Sequence, residues 1–225
     1  MRYILLCLLG AAIQACFILA EKKKKYVAAV TLKGLASVCF VLLGVFASKC
    51  STDTKFAKLI VIGLILGLVG DVFLNLRFVF EKIGQKIFLL GIAAFLAGHI
   101  VYLVALIPLS THLVFCLALG AVCAIIVLAL IFTHIDKVKI AFKIFGVFYI
   151  GAVVIMTVVA LGNLFSNPRS TQALLYALGA VFFTASDIIL IFNTFTSKTK
   201  FSMRVMNLSL YYIGQLLIAG SLFFI

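Results

Sequence analysis

Long apolar stretches follow one another along the whole chain, separated by short polar connections. A helix that spans a bilayer needs about 20 mostly apolar residues, and eight stretches meet that length. They cover residues 3–20, 27–47, 57–76, 86–107, 113–133, 141–162, 172–193 and 205–225. Both prolines, Pro108 and Pro168, fall in the connections, where a missing backbone donor costs nothing in lipid. The pattern therefore predicts an all-α bundle of eight transmembrane helices.

The composition places the chain in the same class. Hydrophobic residues make up 66% of the 225 positions, charged residues 11%, and the mean hydropathy is +1.34. Soluble domains have roughly half apolar residues. The connections are too short to hold a soluble domain, so we expect residues 1–225 to form a single integral membrane domain.

The net charge of +13 reflects where the basic residues lie. The connections that follow odd-numbered helices hold 13 Lys and Arg residues, and the opposite side holds five. The positive-inside rule then places the first set in the cytoplasm and both termini on the other side, in a cell membrane or endomembrane. The charge is thus a topology signal and an attraction to anionic membrane lipids, and we expect no nucleic-acid partner.

Two carboxylates lie well inside apolar stretches, Asp71 and Asp187. Each follows a small residue and precedes a leucine three positions later. An aspartate at the centre of a membrane helix costs about 2.5–3.5 kcal/mol on insertion scales, and such residues usually mark functional sites. The two aspartates are therefore the candidate catalytic or binding centre.

Further polar residues lie within the apolar stretches, mostly in the same half of the bilayer as the aspartates. The candidate supporting residues are Lys33, Asn75, His99, Tyr102, Tyr149, Ser186, Asn193, Tyr211 and Gln215. For three of them, a structural or interfacial role without catalytic function remains open. Lys33 would either snorkel to the surface or pair with Asp71 as structural support. His99 would be a hydrogen-bonded core residue, and Tyr149 an interfacial anchor.

A spacing of 116 residues separates the two aspartates and suggests an internal repeat. The same shift carries Lys33 to Tyr149 and His99 to Gln215, each of which is a polar residue in the corresponding helix. This indicates two parallel four-helix halves, with the aspartates at equivalent positions about a central axis.

The polar residues also form six short motifs in a fixed order. They are the Lys of the second helix, G-D-x-x-L in the third, H-x-x-Y in the fourth, Y-x6-M in the sixth, G-A-x-x-F-x-x-S-D in the seventh and Y-x-x-x-Q in the eighth. In this order the chain resembles the YhhN family of membrane proteins, which includes the lysoplasmalogenases. One departure is Gly34, because the family often has a proline directly after the lysine.

The resemblance implies an ether hydrolase that cleaves the vinyl ether bond of a lysoplasmalogen. The products would be a fatty aldehyde and a glycerophospho-base carrying ethanolamine or choline. Asp71 and Asp187 would be catalytic: one carboxyl group protonates the alkene carbon, and the other stabilises the cation or activates water. We expect no metal and no cofactor, with the lysophospholipid and membrane lipids as partners.

Two other functions use the same polar interior. Buried Asp, Lys and His residues also mark transport routes, so a lipid- or ion-transport protein is the main alternative. A purely structural membrane subunit is the other, and it requires the aspartates to be paired with basic residues and to tolerate joint replacement.

Overall fold

A computed structural model describes residues 2–135, 139–196 and 199–225 of the chain. These residues form eight long helices and no strand. The helices are α1 (Arg2–Lys22), α2 (Tyr26–Ser48), α3 (Thr54–Leu76), α4 (Gly84–Leu106), α5 (Leu113–His134), α6 (Ile140–Ser166), α7 (Thr171–Phe195) and α8 (Phe201–Ser221). All eight are long and apolar enough to span a membrane. The predicted fold class is therefore confirmed, and the predicted bounds differ from the observed ones by a few residues.

The two helices that carry the aspartates begin at side-chain caps. Asp53 precedes α3 and accepts a hydrogen bond from the backbone N–H of Phe56 at 2.9 Å. Ser170 precedes α7 and accepts one from the N–H of Ala173 at 3.1 Å. Each cap satisfies a backbone donor that the first helical turn leaves free. The start of α3 and the start of α7 are thus fixed in the same way.

The packing of the helices repeats between the two halves of the chain. In the first half α1 packs on α2, α2 on α3 and α3 on α4; in the second half α5, α6, α7 and α8 pack in the same order. The halves meet where α2 packs on α8 and α4 packs on α6. If each half is carried onto the other, α2 takes the place of α6 and α8 takes the place of α4, so these two contacts are exchanged. The predicted pair of parallel four-helix halves requires this exchange.

Glycines allow the closest helix contacts at equivalent places in the two halves. A Cβ atom added to Gly98 of α4 would lie 3.4 Å from the carbonyl oxygen of Gly63 in α3. In the second half, a Cβ on Gly179 of α7 would lie 2.8 Å from the carbonyl oxygen of Gly214 in α8. Small residues let backbones approach in this way within lipid. The aspartate-bearing helices are therefore held tightly against their neighbours.

The outer surface is apolar, as lipid requires. Helix α5 packs mainly on α6 and leaves large apolar side chains such as Phe115 and Ile125 exposed. The described parts of the connections α1–α2, α3–α4, α5–α6 and α7–α8 lie at one end of the bundle. We call it the basic end, because most of the Lys and Arg residues of the sequence are in or next to these four connections.

Candidate functional site

Both aspartates line one narrow cavity of about 70 Å³ inside the bundle. Six helices contribute to its wall, all except α1 and α5. The polar side chains in the wall are Lys33, Asp71, Asn75, Tyr149, Ser186, Asp187, Thr194, Arg204, Asn207 and Tyr211. Apolar residues such as Phe88, Ile92 and Leu190 form much of the rest. The two halves of the chain thus bring their carboxylates to a shared, mostly apolar space.

Asp71 is surrounded by hydrogen-bond donors. The ammonium nitrogen of Lys33 lies 3.5 Å from Oδ1. The hydroxyl of Tyr211 donates to Oδ2 at 2.8 Å, and the hydroxyl of Ser37 donates to the same oxygen. Asp71 is only 4% exposed, so these side chains replace the water that would otherwise solvate it. Donors thus lie beside both of its oxygens, which is the pattern of an ionised carboxylate.

Lys33 points into the bundle. Its side chain is 1% exposed, and its ammonium group also donates to Oε1 of Gln14 in α1 at 3.3 Å and lies 4.5 Å from the ring centroid of Tyr211. The snorkelling interpretation is therefore wrong, whereas the pairing with Asp71 is present. A buried pair of this kind is costly to break, because the remaining charge is left unpaired.

Asp187 has a sparser environment. The hydroxyl of Tyr149 donates to its Oδ2 at 2.7 Å, and no protein donor reaches Oδ1 in the described ranges. Asp187 is 3% exposed and has no basic partner within ion-pair distance among those residues. Because Tyr149 is buried and bonded to the carboxyl group, its interpretation as an interfacial anchor is wrong. Within the described residues, one carboxyl oxygen of Asp187 is thus left without a protein donor.

The internal repeat relates the surroundings of the two aspartates. Lys33 and Tyr149 are 116 residues apart, and each contacts the aspartate of its own half, Asp71 or Asp187. The equivalent positions therefore carry a cation in one half and a neutral hydroxyl in the other. The two carboxyl groups occupy matching places in unlike chemical surroundings.

The residues equivalent to the other two donors to Asp71 are apolar. The residue equivalent to Ser37 is Val153, and the residue equivalent to Tyr211 is Phe95. Phe95 and Tyr211 both line the cavity. The two carboxyl environments thus differ because the side chains differ at three pairs of equivalent positions: Lys33 and Tyr149, Ser37 and Val153, and Tyr211 and Phe95.

His99, Tyr102 and Gln215 lie outside the cavity wall. The ring of His99 bonds through Nδ1 to the carbonyl oxygen of Phe95 at 2.8 Å, and its Nε2 has no partner within the described part of the chain. His99 bonds to neither aspartate, and its buried ring fits the interpretation as a hydrogen-bonded core residue. Tyr102 donates to Oε1 of Gln215 at 3.0 Å, and the amide of Gln215 donates to the Tyr211 hydroxyl at 3.3 Å. Tyr102 and Gln215, which lie outside the cavity wall, therefore form a row of hydrogen bonds that ends at the hydroxyl of Tyr211.

Of the remaining predicted residues, two lie in the cavity wall and one does not. Asn75 lines the cavity and donates to the backbone oxygen of Asp71 at 2.8 Å. Ser186 also lines it, and its hydroxyl accepts from the Asn207 amide at 2.7 Å. Asn193 lies nearer the basic end, where its side chain accepts from the backbone N–H of Lys200 at 2.8 Å. Its contact is with the connection between α7 and α8.

Besides Thr194 and Arg204 of the cavity wall, three polar residues of the site were not among the predicted set: Gln14, Ser37 and Asn207. Sequence signals for them exist. Gln14 is polar within the first apolar stretch, Ser37 is one turn from Lys33, and Asn207 is one turn from Tyr211. Residues four apart share a helix face, so the faces of Lys33 and Tyr211 identify the latter two.

A wider cavity of about 550 Å³ opens beyond the narrow one at the basic end. Leu190, Thr194 and Arg204 belong to the walls of both cavities. We call the wider cavity the basic vestibule, after the basic side chains in its wall, Lys22, Lys24, Arg77, Lys200 and Arg204. The site thus adjoins a cationic surface.

In the described part of the chain, eight helices long and apolar enough to cross a membrane enclose two buried carboxylates, as in an integral membrane protein with a polar site inside its bundle. The chain belongs to the YhhN family, whose model matches residues 28–222. The predicted resemblance is therefore confirmed over most of the chain. No curated protein and no solved structure matches it significantly.

Proposed function

We propose that this protein is a lysoplasmalogenase-like hydrolase that cleaves the vinyl ether bond of lysoplasmalogens. Membership of the YhhN family favours a hydrolase. The observation that carries the proposal is the placement of Asp71 and Asp187, with unlike partners, in the wall of one largely apolar cavity. Two carboxyl groups in unlike surroundings can supply the acid and the base of one reaction.

Asp187 is the proposed general acid. Hydrolysis of a vinyl ether begins with transfer of a proton to the alkene carbon remote from oxygen, which leaves an oxocarbenium ion. Proton transfer to carbon is slow and needs a well-placed acid. Oδ1 of Asp187 has no protein donor in the described residues and therefore has room to hold a proton, while Tyr149 fixes the other oxygen.

Asp71 is the proposed carboxylate partner. A group that accepts hydrogen bonds from Ser37 and Tyr211 and lies beside the Lys33 ammonium group is suited to remain ionised. Its negative charge would stabilise the oxocarbenium ion, and it would remove a proton from the attacking water. These donors also hold the carboxylate in place before substrate arrives, which lowers the cost of reorganisation.

The steps balance as a hydrolysis. Asp187 gives a proton to carbon, water adds to the oxocarbenium carbon, and Asp71 takes the proton that water loses. The resulting hemiacetal transfers its hydroxyl proton to the glycerol oxygen as that C–O bond breaks, which releases aldehyde and alcohol. Return of the proton from Asp71 to Asp187 restores the starting state, so one water is consumed in each turnover.

The cavity adjoins the basic end. We propose that this end faces the cytoplasm, so that both termini lie outside and substrate enters from the cytoplasmic leaflet.

The test is aldehyde release by the purified protein from lysoplasmalogen, with a saturated ether lysophospholipid as the control substrate. The parent should release aldehyde only from the vinyl ether. Asp71→Asn and Asp187→Asn should each abolish release while the protein remains folded and membrane-inserted, and near-native activity in either variant would contradict the paired mechanism.

A second candidate is movement of an ion or lipid through the same interior. The observation in its favour is the row of buried hydrogen bonds that continues from Asp71 through Tyr211 and Gln215 to Tyr102. Such rows can form part of a transport route. A protein that moves protons across liposomes but releases no aldehyde would support this candidate.

A further inference from the structure

Arg77 is a basic residue of the vestibule wall at the end of α3, the helix that carries Asp71. It directly follows the helix, and its guanidinium carbon lies 4.1 Å from the ring centroid of Phe88 and 4.6 Å from that of Phe78. Phe88 also lines the aspartate cavity. The two rings thus hold the guanidinium group where the cavity and the vestibule adjoin.

The guanidinium group has no protein anion to neutralise it within residues 2–135, 139–196 and 199–225. Its Nε is buried and has no hydrogen-bond partner there. Burial, followed by the positive charge of Arg204, lowers the pKa of Arg77 to about 10, so the group remains protonated at neutral pH. A half-buried, unpaired cation is costly in a protein, which indicates that an anionic ligand completes its surroundings.

The surrounding charges also favour an anion. Lys22, Lys24, Lys200 and Arg204 line the same vestibule. The carboxylate in the wall, Glu21, forms an ion pair with Arg204, with 2.9 Å between Oε1 and the guanidinium nitrogen Nη2. Net positive charge therefore remains in the vestibule after the internal ion pair is counted.

We propose that the basic vestibule binds the phosphate group of the lysophospholipid headgroup, with Arg77 as its principal ligand. This proposal rests on the proposed function, and it assigns a binding site to the headgroup, the part of the substrate that does not react. A guanidinium group presents parallel N–H donors that match two phosphate oxygens, and Arg is preferred for such recognition. The lysine side chains of the vestibule add long-range attraction.

The position of Arg77 fits the shape of the substrate. Arg77 follows Asp71 by six residues, which at 1.5 Å per residue is about 9 Å along the helix axis. In a lysophospholipid the glycerol backbone separates the ether bond from the phosphate. A phosphate held near Arg77 would therefore place the ether bond near the aspartates, and the energy of headgroup binding would position the reacting carbon.

The test measures binding without cleavage. The probe is a 1-O-alkyl lysophosphatidylethanolamine, whose saturated ether is not a vinyl ether, and the matched probe is the same 1-O-alkylglycerol without phosphate. Binding is measured to the parent protein in nanodiscs of neutral lipid, to Arg77→Gln and to Arg77→Lys. Lys86→Gln is the control variant, because Lys86 is exposed on α4 near the same end and lies outside the vestibule wall.

We expect the parent to bind the phosphate-bearing probe at least tenfold more tightly than the phosphate-free one. Arg77→Gln should weaken binding of the phosphate-bearing probe about tenfold or more, equivalent to about 1.4 kcal/mol, and leave the other probe unchanged. Arg77→Lys should fall between the parent and Arg77→Gln, and Lys86→Gln should match the parent.

Equal binding of the two probes by the parent would overturn the proposal, and that result does not depend on the folding of any variant. Soluble glycerophosphoethanolamine distinguishes a free phosphate ester from a lipid headgroup. If it binds as tightly as the lysolipid, the lipid assignment is wrong. Aldehyde release with an unchanged KM in Arg77→Gln would refute the headgroup site alone, whereas phosphate-dependent binding without aldehyde release would refute the hydrolase alone.

Discussion

Removal of the Lys33 ammonium group, as in Lys33→Met, tests whether the buried pair with Asp71 has a structural role separate from chemistry. Both groups are almost fully buried, at 1% and 4% exposure. Breaking a buried ion pair by removing one partner typically costs about 3–5 kcal/mol. Ser37 and Tyr211 still donate to Asp71, so we expect the lower end, about 3 kcal/mol, or roughly a hundredfold larger unfolded fraction.

The companion variant is Lys33→Met/Asp71→Asn, in which both charges are removed. Replacing a buried pair with neutral groups is often nearly neutral, so we expect the double variant to recover most of the lost stability. It should nevertheless release no aldehyde. Stable but inactive protein would separate the catalytic role of Asp71 from its structural role.

Equilibrium unfolding of the purified proteins in mixed micelles, at constant pH, supplies the measurement. Lys58→Met is the control, because Lys58 is exposed on α3 and surface changes usually stay within about 0.5 kcal/mol. The reasoning is refuted if Lys33→Met is as stable as the parent, or if the double variant is as unstable as the single one. A double variant that releases aldehyde would contradict the catalytic role of Asp71.

Three further changes test other parts of the site and fold. Tyr149→Phe removes the hydroxyl that fixes the Asp187 carboxyl group, and kcat for aldehyde release should fall about tenfold, equivalent to about 1.4 kcal/mol; an unchanged kcat would contradict the orienting role. His99→Gln should lose less than about tenfold in kcat, because an amide can also donate to a carbonyl oxygen, whereas loss of a general acid or base costs a hundredfold or more. Gly179→Ala places a Cβ 2.8 Å from a backbone oxygen of α8 and should lower stability by about 1–3 kcal/mol, while Gly151→Ala, with nothing within 4 Å, should not; equal unfolding curves for the two would contradict the close α7–α8 contact.

The fold could be predicted almost entirely from hydropathy. In lipid every backbone polar group must be bonded within the chain, so each apolar stretch of sufficient length has to be a helix. The repeat could also be predicted, because a single spacing related Lys33 to Tyr149 as well as the two aspartates. The predicted bounds fell furthest short at two ends, because α6 continues to Ser166 and α8 begins at Phe201. The added residues, 163–166 and 201–204, mix polar with apolar side chains, which is compatible with a helix or a connection.

The details of the site were harder to predict because they depend on how each helix is rotated about its axis. Ser37 shares a helix face with Lys33, but that face alone does not show that it reaches Asp71; its single hydroxyl hydrogen is within reach of both the Asp71 carboxylate and the Lys33 carbonyl oxygen, 2.9 Å away. The position of His99 along α4 does not define its partner, and its ring bonds to the carbonyl oxygen of Phe95 in its own helix. The packing of α1 on α2 brings Gln14 to Lys33. The periodicity of a helix relates residues within that helix only, so it could not predict this contact between two helices.

The central claim is that a carboxyl group in the buried cavity protonates the alkene carbon of a vinyl ether. The most direct measurement is cleavage of lysoplasmalogen by the purified protein in D₂O, with the aldehyde reduced at once to the alcohol so that its α-hydrogens do not exchange. The account predicts one solvent deuterium at the carbon next to the former aldehyde carbon, and no product from Asp187→Asn. Product that carries only protium at that carbon would contradict carbon protonation from a solvent-exchanged acid, and no aldehyde from the parent protein would contradict the proposed function itself.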